Sequence, residues 1–317
     1  MNHPAYSHPR GLPHLGSIRF SSIALALITG LAASQLPAQV DDPDGPDDHP
    51  TTFALSDVTA TYSFSSDGDV ERNGKVGSAG VSHYEFEAEF SLPAPDSWML
   101  SSELSWKHYK FDLTGAVPLP KKLEEIGLDI MAIKDLSKSI GPGWSAMAML
   151  NPSFASESAK ISGDSFNLMG VAMIGKEVSP TFSWNAGIMG QSRGDTKVMP
   201  MLGIRWAFAP DWELALGFPD TSLSYKLSES LTLKVEAEFH GGTYYISKAP
   251  AAGLGNTYMD YEEIRVGLSA EYQISKNLSV VVDGGTTAER TFEYYDRNVK
   301  LEGKTAGYGR FSLKYQF

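Results

Sequence analysis

From residue 53 to the C-terminus, apolar and polar side chains take turns along the chain. In Ser82-His-Tyr-Glu-Phe-Glu-Ala-Glu-Phe-Ser-Leu92, Tyr84, Phe86, Ala88, Phe90 and Leu92 share one parity, and Glu85, Glu87, Glu89 and Ser91 share the other. The same sorting recurs where Leu231, Leu233, Val235, Ala237 and Phe239 alternate with Lys234, Glu236 and Glu238. It recurs again where Ile264, Val266, Leu268, Ala270 and Tyr272 alternate with Arg265, Ser269, Glu271 and Gln273. A period of two belongs to β-strands, whose successive side chains point to opposite faces. The pattern excludes a helical protein but leaves two environments open. In a soluble sandwich the aromatic face meets a core and the glutamates meet water; in a transmembrane barrel the aromatics meet lipid and the glutamates an enclosed lumen.

The N-terminus bears on that choice. Residues 1–19 carry Arg10 and Arg19 and no acid, and an apolar run follows from Phe20 to Ala33. A basic segment followed by a short apolar one reads as an export signal, too short to span a bilayer as a helix. The small residues Ala33, Ser34 and Ala38 put cleavage after Ala38, with Ser34 as a second candidate, so 1–38 is expected to be a signal peptide. Residues 39–52 are expected to form a flexible acidic leader, because VDDPDGPDDHPTT is too rich in Pro, Gly and Asp to build a core. Its aspartates match no calcium-loop spacing. No later apolar run approaches the length of a membrane-spanning helix. The chain has no cysteine, so an exported protein of this kind relies on size or on its sheet for stability. Its formal net charge of −12 argues against a nucleic-acid partner, which needs basic patches.

Between the alternating runs, short connectors such as Ala94-Pro-Asp-Ser97, Val178-Ser-Pro-Thr181 and Ile274-Ser-Lys-Asn277 take turns with longer polar ones near 65–81, 113–122, 155–164, 247–257 and 290–304. Tight turns at one end and looser loops at the other are the mark of an antiparallel meander. The expectation over 53–317 is an all-β, up-and-down antiparallel transmembrane β-barrel of about 14 strands. The count falls to 12 if the short pair around Gly217-Phe-Pro-Asp-Thr221 does not span.

The last ten residues, Tyr308-Gly-Arg-Phe-Ser-Leu-Lys-Tyr-Gln-Phe317, place Phe311, Leu313, Tyr315 and Phe317 on one face and Arg310, Ser312, Lys314 and Gln316 on the other. This resembles the C-terminal assembly signal of Gram-negative outer-membrane proteins. The resemblance implies recognition by the barrel-assembly machinery, a place in the bacterial outer membrane and contact with its lipid. The medium of each face then follows: a charge on the lipid face near midplane costs roughly 2–4 kcal/mol, so the glutamate parity looks inward. Leu214-Ala-Leu-Gly-Phe-Pro-Asp-Thr-Ser-Leu-Ser-Tyr225, with Gly241-Gly-Thr-Tyr-Tyr-Ile-Ser247, also resembles a family of uncharacterised outer-membrane β-barrels known as a domain of unknown function. That likeness covers about 53–317 and carries no functional residues.

Parity lists the lumen-facing candidates. On one side they are Glu85, Glu87, Glu89, Glu103, Glu236 and Glu238, with Lys107, Arg205, Lys234, Arg265, Arg310 and Lys314 as basic partners. On the middle strands they are Met147, Met149, Met199 and Met201, with Met99, Met131, Met169, Met173 and Met189 on the same parity. Methionine fills irregular apolar space. Three readings of this interior stay open: a filled structural barrel with paired charges, a channel for small amphipathic or apolar solutes, and a Cu(I) site of thioethers from Met147, Met149, Met199 and Met201. An outer-membrane hydrolase would need a Ser–His arrangement; of His49, His83, His108 and His240, His240 beside Gly241-Gly242 could face a Ser across strands. No phosphate loop, metal-spaced His cluster or G-x-S-x-G element is present. The expectation is therefore a protein that is not an enzyme and holds no cofactor or resident metal.

Overall fold

The computed structural model describes residues 53–158 and 160–317; the expected signal peptide and leader lie outside the described residues. Fifteen strand segments form one sheet. They are β1 (Ala54–Glu71), β2 (Lys75–Leu92), β3 (Trp98–Gly115), β4 (Lys122–Asp135), β5 (Trp144–Ser156), β6 (Phe166–Ser179), β7 (Phe182–Gln191) and β8 (Val198–Ala209), followed by β9 (Trp212–Leu216), β10 (Asp220–Lys226), β11 (Leu231–Ile246), β12 (Thr257–Ser275), β13 (Leu278–Tyr294), β14 (Val299–Gly303) and β15 (Gly307–Gln316). Both β14 and β15 pair with β1 and with β13. They are two lengths of one interrupted strand, which makes a closed antiparallel barrel of 14 strands. Closure runs from Asp57 opposite Gln316 to Ser65 opposite Tyr308, so no sheet edge is left at the seam.

The outward parity forms an apolar belt. Phe64, Tyr84, Phe86, Leu104, Trp106, Leu268, Val282 and Phe311 are all exposed. Trp98, Trp144, Trp184, Trp206 and Trp212 lie within three residues of a strand end, all at the end where the short turns gather, as an interfacial girdle does. There Lys134 and Lys176 set their ammonium groups over Trp98 and Trp144, at 4.9 and 5.3 Å from the ring centroids. Trp106 sits instead in the middle of β3.

Two departures from regularity shape the interior. First, the stretch expected as a loop at 65–81 is mostly strand: β1 runs on to Glu71 and β2 begins at Lys75. Val70, Ala79 and Val81 are fully enclosed there, so the polar composition hid an inward apolar face. Likewise β13 continues to Tyr294 and β14 fills 299–303 within the expected 290–304 loop. Second, the wall is notched. β9 has five residues and β10 seven; at roughly 3.3 Å each, five residues climb ~17 Å even untilted, short of an apolar band ~25 Å tall. β8 meets β9 only up to Ile204 opposite Leu216, and β10 meets β11 only up to Asp220 opposite Glu238. Above these pairs, no strand of the described residues lies between β8 and β11.

In place of a neighbour on that side, the upper part of β11 crosses the barrel. Tyr245 pairs in parallel with Ser156 at the far end of β5, and Glu157 accepts from the Ser247 backbone at 3.0 Å and from its hydroxyl. Gly241 permits the path: its φ is 143°, and a Cβ would stand 1.9 Å from the Tyr261 carbonyl oxygen. The crossing strand partitions the upper interior into two compartments.

Candidate functional site

The larger compartment is packed with buried aromatic and aliphatic side chains. Tyr109, Phe111, Tyr244, Tyr261, Phe292 and Leu123 pack with Val70, Ile246, Met259, Tyr294 and Leu301 in a single buried cluster. Tyr261 stacks on Phe292 at 5.1 Å and meets Phe111 and Tyr109 edge-on at 5.7 and 5.4 Å, arrangements favoured by aromatic quadrupoles.

Beneath this layer lies a cross-braced set of charges. Glu263 receives Arg265 Nε at 2.6 Å and Arg290 Nε at 2.5 Å, and Tyr261 donates to it at 3.1 Å. Arg265 also reaches Ser63 on β1 at 3.2 Å, and Arg290 reaches Ser65 and the Ala79 carbonyl at 2.6 and 3.1 Å. Arg310 donates to Glu238 at 2.6 Å, to Glu236 at 3.0 Å and to Asp283. Glu85 pairs with Lys107 directly across β2–β3 at 3.4 Å, and Lys314 pairs with Asp57 at 3.0 Å. Ions so deeply placed need partners and hydrogen bonds to tolerate desolvation, and these have both. The brackets tie β12, β13 and β15 to β1, β2 and β11, strands of one continuous arc of the wall that the β1–β15 seam joins.

The glutamate parity therefore sits inside, with Glu85, Glu236 and Glu238 paired to cations and the others crowded among carboxylates. Glu85, Glu87 and Glu89 occupy the inner face of β2, and Glu103 faces Asp129 across β3–β4. Asp129 accepts from Asn151 at 2.6 Å. His240 donates to or accepts from Glu238 at 3.0 Å, and no serine completes a hydrolytic arrangement with it among the hydrogen bonds of the described residues. Glu263 and Arg290, the centre of the upper brace, escaped the sequence reading; Arg290 fell in a stretch expected as loop. The signal that finds them is inward parity on β12 and β13, continued past the membrane belt.

The smaller compartment is apolar. Met147, Met149, Met169, Met173, Met189, Met199 and Met201 cluster with Val171, all buried. Met131, Ile133 and Phe218 pack against them. One cavity of about 50 Å³ lies among Ile133, Ser145, Met147, Met173, Gly175 and Asn185. A second, of about 80 Å³, shares Met173 and Asn185 with it and continues past Met201 to Leu202, Leu216 and Phe218. The β7–β8 loop closes this compartment at the loop end: Arg193 lies 4.8 Å over the Tyr258 ring, and the Asp195 amide donates to Asp260 at 3.1 Å. The smaller cavity reaches toward the turn end, where Ser145 and Gly175 line it, and Met99, on the inward parity at the start of β3, is 44% exposed there. Among the described residues no group of three or more His, Cys, Asp or Glu is placed to hold a metal.

Residues 36–314 match the family described as Domain of unknown function (DUF6268). The chain belongs to that family. No curated protein matches it in sequence. Among solved structures it is similar to the COG4313 outer membrane channel from Pseudomonas putida F1, at 10% identity and a TM-score of 0.47, over 86% of this chain and 99% of that one. It is also similar to a Pseudomonas aeruginosa FadL homologue, at 12% identity and 0.43, over 84% and 90%. A third likeness is to the Pseudomonas putida toluene transporter TodX, at 8% identity and 0.36, over 86% and 89%.

Proposed function

We propose that this member of the family is an outer-membrane barrel that passes small apolar or amphipathic solutes along the methionine side of its lumen. The observation that carries this reading is the pair of adjoining cavities in the methionine cluster. Thioethers are soft and adaptable, so such a wall admits apolar guests of varied shape without fixed polar partners. The apolar belt and tryptophan girdle support the outer-membrane setting. The face formed by Phe311, Leu313, Tyr315 and Phe317 supports delivery by the barrel-assembly machinery.

A filled, non-transporting barrel is the second reading, and the aromatic layer with its charge braces favours it along the barrel axis. One pair of measurements separates the two. The transport reading expects reconstituted protein to conduct few ions in planar bilayers yet to speed indole entry into cells carrying it. It also expects Met147→Glu with Met201→Glu to lower that entry while heat-dependent gel migration stays normal. A folded barrel that gives neither conductance nor indole entry leaves the filled reading alone.

A further inference from the structure

The gap in the wall and the methionine compartment meet at one place. The 80 Å³ cavity is lined from inside by Met173 and Met201 and from outside by Leu202 and Leu216. Leu202 and Leu216 are on the lipid parity, and Leu202 is 64% exposed. A cavity bordered by both parities passes through the wall of a sheet, and it does so where β8 has lost β9 and β11 has lost β10. Phe218 is the aromatic side chain at the opening, which Asn185, Arg205, Glu213 and Asp220 also line. Phe218, in the β9–β10 connection, packs on the methionines and lies 5.5 Å from the Phe239 ring. Phe239 belongs to the outward parity of β11, yet it is 5% exposed, because the crossing part of β11 turns that face toward the compartment.

We propose, building on the transport reading above, that the methionine compartment exchanges small uncharged molecules directly with the surrounding lipid through this lateral opening, with Phe218 as its gate. The geometry sets the class of guest. The two adjoining cavities together approach the ~150 Å³ that suffices for a benzene-sized molecule. Sulfur–aromatic contacts favour a flat ring, and an approach through hydrocarbon excludes ions. Below the opening, Arg205 on β8 holds Glu213 on β9 at 2.6 Å, which latches the short hairpin to the wall and fixes the lower lip. From the compartment the route continues past Met147 and Ile133 toward the turn end. It thus bypasses the closed axis.

The test uses an apolar photolabel, 3-trifluoromethyl-3-phenyldiazirine, dissolved in phosphatidylcholine vesicles containing the full-length barrel. Labelled positions are read by mass spectrometry. Met173, Met199 and Met201 are expected to be labelled although they face inward. Phe218→Trp is expected to reduce that labelling severalfold, and Phe218→Ala to increase it. Leu268 and Val282, on the lipid face elsewhere, should label equally in all three proteins and so report that each variant is folded and inserted. Inner methionines that stay unlabelled while Leu268 and Val282 react, or that label equally whatever residue 218 is, overturn the proposal. Labelling that follows residue 218 without any indole entry keeps the lateral opening and removes the transport reading. Indole entry with labelling indifferent to residue 218 does the reverse.

Discussion

Adjacent residues on β2 carry opposite duties. Phe86 lies on the lipid parity between Ala60 and Trp106 on the neighbouring strands, whereas Glu87 shares the inner face with Glu85 and feels the charge of Glu103. Phe86→Arg is expected to cost roughly 2–4 kcal/mol if the site is near midplane. Glu87→Gln removes one of several crowded carboxylates and should leave stability nearly unchanged. Urea unfolding in lipid vesicles, followed by tryptophan fluorescence, compares the two; a larger loss for Glu87→Gln would reverse the assignment of inside and outside. Arg310 is the more exacting position, since it serves Glu236, Glu238 and Asp283 together. Arg310→Met should destabilise by about 3–5 kcal/mol, because it strands buried carboxylates that no other cation reaches as directly. The same unfolding curves read it, and a change under 1 kcal/mol would show water taking the place of the guanidinium at about the worth of an exposed ion pair.

Among the elements, the last strand does the most for closure. β15 pairs on one side with β1 and on the other with β13, and the Phe317 amide donates to the Ser56 carbonyl at 2.9 Å. Deleting Phe317 is expected to lower the yield of assembled barrel well below that obtained by deleting residues 40–51, a stretch whose composition builds no core. Quantified heat-modifiable band on gels decides it, and equal yields would remove the assembly role from the C-terminal face. The short strands β9 and β10 make the opposite point. Their sequence alternates normally, so their shortness was visible only as a question about 12 or 14 strands. They are hydrogen-bonded members of the wall, and they are too short to reach its upper half.

For the molecule as a whole, a sheet closed on itself with charges cross-braced inside should resist detergent until heated. Unboiled protein is therefore expected to run at a different gel position from boiled protein and to sediment with outer membranes. Recovery as a soluble periplasmic protein would return the chain to the sandwich alternative. The braces also predict how the axis behaves: with Glu263 held by two arginines below a sealed aromatic layer, axial ion flow should be small even at low salt, where screening is weakest.

Alternation by itself determined the class of fold, the number of strands to within one hairpin, and which face each of Glu85, Glu236, Met147 and Met201 takes. These are local properties, set by a two-residue period and by the cost of charge in hydrocarbon. The pairing of those charges was not local. Arg265 and Ser63 are 202 residues apart in the chain, and only closure of the barrel brings them within reach. The inward course of β11 was hidden for the same reason, because Gly241 reads as flexibility until the Tyr261 carbonyl is found 1.9 Å from where its Cβ would stand. So was the side compartment: Phe239 keeps the lipid parity in sequence and is buried in space, since β11, still paired with β12, turns inward above the end of β10 and carries its outer face inside. Parity states which side of a strand a residue is on, and only the tertiary path of that strand decides what lies on that side.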